Sequence, residues 1–185
     1  MSLRRGFKAA ANKTAREVRR ELGLADEDPL CPFATADLIG VQVLKLSSFQ
    51  NSLPEEIRLL RVSSPAILLS AMTACFGPGR VIIYNDFLPL TRSYADIMHE
   101  ISHLLLHHPP HQMCGASGGR HYDPVLEEEA NWLGPALLVS EEAALTIAIE
   151  GQPVAQAAKR FKVSHDLMRM RLNVTGALKR AARAA

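Results

Sequence analysis

A chain of 185 residues with 48% hydrophobic and 22% charged side chains is not a disordered segment, and it has room for one hydrophobic core rather than two full domains. Its formal charge of +2 argues against a nucleic-acid binder as a whole, but the ends are basic, with 7 Lys/Arg against 2 acids in residues 1–21 and 8 against Asp166 alone in 151–185, so the middle is acidic. Cys31, Cys75 and Cys114 are odd in number and widely spaced, which suits reduced thiols in the cytoplasm; no apolar leader follows Arg4-Arg5, and no apolar run reaches the roughly 20 residues that span a bilayer.

Residues 7–22 place Phe7, Ala10, Ala11, Ala15, Val18 and Leu22 at spacings of three and four, which predicts an amphipathic helix ending near Gly23. After the Pro29 to Pro32 punctuation, 35–40 form a short helix, and Val41 to Leu46 alternate apolar and polar residues as a strand does. Ala66 to Ser70 and Arg80 to Asn85 are two further strands, separated by a stretch with the turn signal Gly77-Pro78-Gly79. The expected sheet is small and largely antiparallel. From Thr91 to His107 the period turns helical, until Pro109 and Pro110 stop it. Residues 109–123 form a loop or lid, followed by helices over 124–139 and 141–150.

The helix over 91–107 contains His99-Glu100-Ile101-Ser102-His103. Positions i and i+4 share a helix face, so His99 and His103 can aim imidazole nitrogens at one Zn²⁺. Glu100, beside the first ligand, is placed to take a proton from a water attacking a carbonyl and pass it to the leaving amine. This is the HExxH arrangement. Two histidines leave a catalytic zinc one protein ligand short. A third histidine in the extended HExxHxxGxxH pattern is excluded, because Leu106 takes the glycine position and Pro109 the histidine's. The alternative is a carboxylate from Glu127-Glu128-Glu129. Glu127 shares a face with Ala130, whose small side chain allows close helix packing, and with Asn131, which can support it; Glu128 is the fallback, and Glu129→Ala is expected to be mild. In the loop, His121 or Tyr122 is a candidate hydrogen-bond donor to the developing oxyanion.

These segments resemble the ImmA/IrrE family of metallopeptidases. His99 to His107 are similar to its HELGHLLLH-type helix, and Glu127 to Val139 to its E-x-E-A-N-x-F-A-x-x-L-L-M segment, with Trp132-Leu133-Gly134 and Ser140 departing from the pattern at packing positions. The N-terminal helix, the strand ending in Tyr84-Asn85, and Phe161 to Ser164 with Arg171-Leu172 also fall where the family would place them. The resemblance implies a zinc metalloendopeptidase with one Zn²⁺ per chain, His99, His103 and Glu127 as ligands and Glu100 as general base. It also implies a protein substrate, a helix-turn-helix transcriptional repressor, in a stress-response or mobile-element setting. The implied fold is α+β and minimal zincin-like, its sheet packed on the HExxH and ligand-bearing helices.

Residues 153–172 predict two short helices joined by a tight turn, with Ser164 as N-cap between Val163 and Met168 and with Arg169 and Arg171 exposed. Such a helix-turn-helix-like hairpin either touches DNA or packs on the catalytic core, and packing is favoured because this geometry recurs in proteins that never meet DNA. The expected organisation is therefore 1–150 as the metallopeptidase domain and 151–185 as a helical segment packed on it. The rival functional class is a DNA-binding or metal-sensing regulator that keeps the zinc without proteolysis, a role that would need no base at Glu100. The other histidines, His107, His108, His111, His121 and His165, are expected on loops and the surface.

Overall fold

The computed structural model of the chain describes residues 3–62, 69–76, 79–109 and 123–184. The expected strand residues 66–68, and the lid residues 110–122 with His121, Tyr122 and Cys114, lie outside them.

Helix α1 (Phe7–Glu21) buries Phe7, Ala11, Ala15 and Val18, one face at helical spacing. It ends where Gly23 turns left-handed at φ +70 and Leu24 N–H bonds back to Arg19 O at 2.9 Å. Helix α2 (Pro32–Leu38) starts three residues before its expected place, because Pro32 occupies the first turn, where its missing N–H costs nothing. Strand β1 (Gln42–Lys45) leads through a 3-10 turn at Leu46–Phe49 to α3 (Pro54–Val62), a helix not anticipated from the sequence although Pro54, Glu55 and Glu56 are typical first-turn residues.

The sheet has the order β1-β3-β2, with β2 at Ala71–Phe76 and β3 at Gly79–Tyr84. Strand β2 lies in the stretch read as a connection, while Leu69 and Ser70, expected in a strand, belong to none. Ala71, Met72 and Ala74 are weak strand formers, so what holds them extended is the antiparallel ladder from Ala71 opposite Tyr84 to Phe76 opposite Gly79. Strand β1 runs parallel to β3, with Gln42 opposite Val81 and Lys45 opposite Tyr84. That pairing requires a long crossover, and the chain between Lys45 and Gly79 supplies it. The sheet is therefore mixed within an α+β fold.

Helix α4 (Leu90–Leu105) lies against the sheet on one side and α5 (Pro124–Leu138) on the other, with Ile97, Met98 and Ile101 fully buried. The two helices approach closely at Gly134, where a Cβ would sit 3.4 Å from His99 N and Ser102 Oγ. Helices α6 (Glu141–Ile149), α7 (Val154–Phe161), α8 (His165–Val174) and α9 (Ala177–Ala184) complete the described chain, α9 having no counterpart in the expected hairpin. Ser164 caps α8 by accepting from Leu167 N–H, and Val163 and Met168 are both buried beside it. Ala157, Ala158, Phe161, Val163, Met168, Leu172 and Ala177 join the same buried cluster as Phe7, Ile82 and Ile101.

Arg171, expected to be exposed, is buried, and so is Arg19. Arg19 donates to Leu137 O at 2.7 Å, to Ala15 O at 3.0 Å and to Asp28 O at 3.1 Å, and Arg171 donates to Val139 O at 2.8 Å. Both finish the C-terminal end of α5, where exposed carbonyls attract a cation. Desolvation lowers each guanidinium's pKa to about 10. Arg171 is thus no part of an exposed recognition face, whereas Arg169 is exposed beside Asp166 at 4.0 Å. No single described helix is long and apolar enough to cross a membrane.

Candidate metal centre

His99 and His103 lie one turn apart on α4, and Glu127 reaches them from the first turn of α5. That turn is held by Asp123, whose Oδ1 accepts from Val125 N–H at 2.9 Å and Leu126 N–H at 3.4 Å. The three side chains converge on one point. His99 Nε2 and His103 Nε2 are 3.1 Å apart, His99 Nε2 lies 3.3 Å from Glu127 Oε2, and His103 Nε2 lies 3.5 Å from Glu127 Oε1. A tetrahedral ion with bonds of about 2.0–2.1 Å spaces its ligand atoms about 3.3–3.4 Å apart; each imidazole nitrogen lies close to that distance from the other and from one of the two Glu127 oxygens, and one donor atom from each residue lies within 4.8 Å of the others. Two imidazoles and a carboxylate also suit a zinc-like cation chemically, and the residues fit a metal cofactor.

The site is partly dry and negatively biased. His103 is buried and His99 and Glu127 are half-buried. Burial pulls the His99 pKa down, but its hydrogen bond to Glu127 and the charges of Glu100, Glu127 and Asp96 outweigh that and leave it raised. Glu100 is turned toward the sheet, where Thr73 Oγ1 donates to its Oε2 at 2.6 Å. Thr73, Arg80, Glu100, His103, Leu104 and His108 together line a small cleft. Thr73 had no sequence signal, because its role depends on the pairing of β2 with β3.

The expected candidates separate in space. Glu128 is half-buried and is not one of the three converging groups. Asn131 is exposed and lines an open groove of about 200 Å³ together with His99, Asp96 and Arg92, so it borders the site from the solvent side. His121 and Tyr122 fall outside the described residues.

Burial departs from expectation at two residues. His108, expected on the surface, is buried, and Glu129, whose replacement by alanine is expected to be mild, is only 4% exposed. The cause is the end of α4. His107 takes a left-handed φ of +54, so that His107 N–H bonds to Leu104 O at 3.1 Å and His108 N–H to His103 O at 2.9 Å. This Schellman closure normally uses glycine, and a histidine in it stores on the order of 1 kcal/mol. It folds His108 back under His103, their Nδ1 atoms 2.9 Å apart, while His108 Nε2 meets Glu129 Oε2 at 3.3 Å. Arg4, from the segment before α1, reaches Glu129 Oε1 at 2.8 Å. A run of three glutamates does not reveal which one is buried until α1 and the α4 terminus are in place.

The convergence predicts that Glu127→Ala lowers zinc content strongly while Glu128→Ala leaves it near that of the unmodified chain. Metal analysis of the purified variants checks this, and equal zinc in Glu127→Ala would remove Glu127 from the centre.

Residues 40–173 match the family profile described as the IrrE N-terminal-like domain, peptidase family M78. No curated protein and no solved structure matches the chain at a significant level.

Proposed function

This chain belongs to the IrrE N-terminal-like family of M78 peptidases, and from that premise we propose that it is a zinc-dependent endopeptidase, binding one Zn²⁺ through His99, His103 and Glu127. The observation that carries the reading is the convergence of the three side chains, His99 Nε2 and His103 Nε2 being 3.1 Å apart and each within 3.5 Å of a Glu127 carboxylate oxygen, with both histidines on the helix that also carries Glu100. Zinc held there would supply Lewis acidity to a scissile carbonyl and lower the pKa of a water. The chain's own contribution to the chemistry is Glu100. Its carboxylate accepts the proton of the attacking water and returns it to the departing amine nitrogen, so that bond cleavage releases a neutral amine. The Thr73 hydroxyl, 2.6 Å from Oε2, holds that carboxylate in one orientation. Within the described sheet β2 has β3 as its one neighbour. Its outer edge, carrying Thr73, therefore lies beside Glu100 and suits an extended peptide added as a further strand.

The substrate in this reading is a helix-turn-helix transcriptional repressor, encoded near this gene in a stress-response or mobile-element system, and the reaction takes place in the cytoplasm. Free Cys31 and the exposed, free Cys75 support a reducing compartment. The rival reading, a regulator that reads DNA through α7 and α8, loses support from Arg171, which is spent on Val139 O inside the fold.

The test is to purify the chain, count its zinc, and incubate it with the neighbouring repressor with and without a chelator, following the products by mass spectrometry. One zinc per chain and chelator-sensitive cleavage at a defined bond are expected. A zinc-loaded chain that leaves the repressor and unrelated unfolded polypeptides intact would transfer the case to the regulator reading.

A further inference from the structure

The hydrogen-bonded line from His103 through His108 and Glu129 to Arg4 is more than a way of burying polar groups, because it determines where one proton sits. Glu129 Oε2 faces His108 Nε2 at 3.3 Å, and Arg4 Nε donates to Glu129 Oε1 at 2.8 Å. A carboxylate salt-bridged in this way only accepts, so the nitrogen facing it, Nε2 of His108, carries the hydrogen. In a neutral imidazole the other nitrogen is then bare, and His108 Nδ1 must accept from its neighbour, His103 Nδ1, 2.9 Å away. With His108 neutral, the His103 proton therefore sits on Nδ1, and Nε2 is unprotonated and able to accept from His99 Nε2, 3.1 Å away. That Nε2 is the atom turned toward His99 Nε2 and Glu127 Oε1.

On the reading of His99, His103 and Glu127 as metal ligands, we propose that His108 and Glu129 are positioning residues of the metal centre. Together they hold His103 in the Nδ1–H tautomer with its unprotonated Nε2 turned toward His99 and Glu127, where the ion would bind, and Arg4 anchors the far end of the line. The burial supports this: His108 and Glu129 side chains are each 5% exposed, so water does not substitute freely for either partner. The left-handed His107 supports it as well, since a strained turn persists where the surrounding contacts hold it, and this turn is what brings His108 under His103. Outer partners of this kind raise ligand basicity and fix ring orientation, and losing them weakens metal binding by about 10–100-fold.

The experiment measures zinc affinity by chelator competition in the full chain, alongside ¹H–¹⁵N spectra of the imidazoles recorded without metal, for five variants compared with the unmodified protein. His108→Leu and Glu129→Leu are expected to weaken zinc binding about 10–100-fold and to leave His103 as a mixture of tautomers. His108→Asn, whose side-chain carbonyl can still accept from His103 Nδ1–H, is expected to retain more affinity than His108→Leu. Glu129→Gln, which can still accept from His108 Nε2–H, is expected to retain more than Glu129→Leu. Arg4→Ala should fall between these and the unmodified chain. A destabilised fold would lower the thermal midpoint of all five without reproducing the ranking of acceptor-retaining over acceptor-lacking variants. Affinities of His108→Leu and Glu129→Leu within about twofold of the unmodified chain, or His103 found as the Nε2–H tautomer in the unmodified chain, would overturn the positioning role while leaving the ligand set intact. An unmodified chain that takes up no zinc would overturn both the metal reading and this proposal, and that arm is scored before any variant.

Discussion

Glu100→Gln is expected to reduce proteolysis by about 10²–10⁴-fold, the range attributable to one general acid–base group, while zinc content and thermal stability stay near those of the unmodified chain. The reasoning is geometric. Glu100 is next to His99 in sequence but is not one of the three convergent ligands; it points to the sheet, where Thr73 Oγ1 holds it at 2.6 Å. A glutamine of the same shape can keep the Thr73 hydrogen bond, so the substitution removes the proton acceptor and little else. Cleavage rates set against metal analysis of the same sample separate the two effects. A variant that keeps its zinc and cleaves at an undiminished rate would deny Glu100 its role, whereas one that loses its zinc would make Glu100 a structural support of the centre.

Ending the chain after Gly151 is expected to yield insoluble or unfolded protein, and Arg171→Ala in the full chain is expected to cost about 2–4 kcal/mol. The truncation strips Ala157, Ala158, Phe161, Val163, Met168, Leu172 and Ala177 from the common core. Burying one large apolar side chain contributes about 1.5–3 kcal/mol, so losing Phe161, Val163, Met168 and Leu172 alone removes an amount comparable with the 5–15 kcal/mol that holds an ordinary domain together. The point substitution deletes a fully buried side chain and strands Val139 O, which costs about 1–3 kcal/mol for the unsatisfied carbonyl with a cavity term added. Expression trials of the 1–151 fragment and thermal unfolding of Arg171→Ala check the pair. A soluble 1–151 fragment that binds zinc would mean that the last helices form a separable module.

Much of this architecture is written locally. Helix α4 and its two histidines are legible because a 3.6-residue period and a spacing of four carry their own geometry, and the ligand face of α5 because Glu127 shares it with Ala130 and Asn131. Family membership follows from the same segments. What escapes a linear reading depends on partners far along the chain. Strand β2 is extended because β3 pairs with it, not because Ala71, Met72 and Ala74 favour strands. Glu129 differs from Glu128 because Arg4 and His108 converge on it. Arg171 is charged and lies among basic residues, and nothing short of the folded contact with Val139 O distinguishes it from exposed Arg169. Helical periodicity identifies a buried face well only when that face is apolar, and the two buried guanidiniums break the pattern.

The clasp at the end of α5 bears on the order in which the molecule is made. Leu137 O is taken by Arg19, from the first helix, and Val139 O by Arg171, from the eighth. A nascent chain that has emerged from the ribosome through Glu127 already contains all three converging residues and the N-terminal half of the clasp, but not the residue that closes the other half. The Val139 carbonyl, at the C-cap of the helix presenting Glu127, therefore gains its partner only when nearly all of the described chain has been synthesised. A stalled or prematurely released chain would carry the candidate donor atoms without the arginine that closes the second half of the clasp.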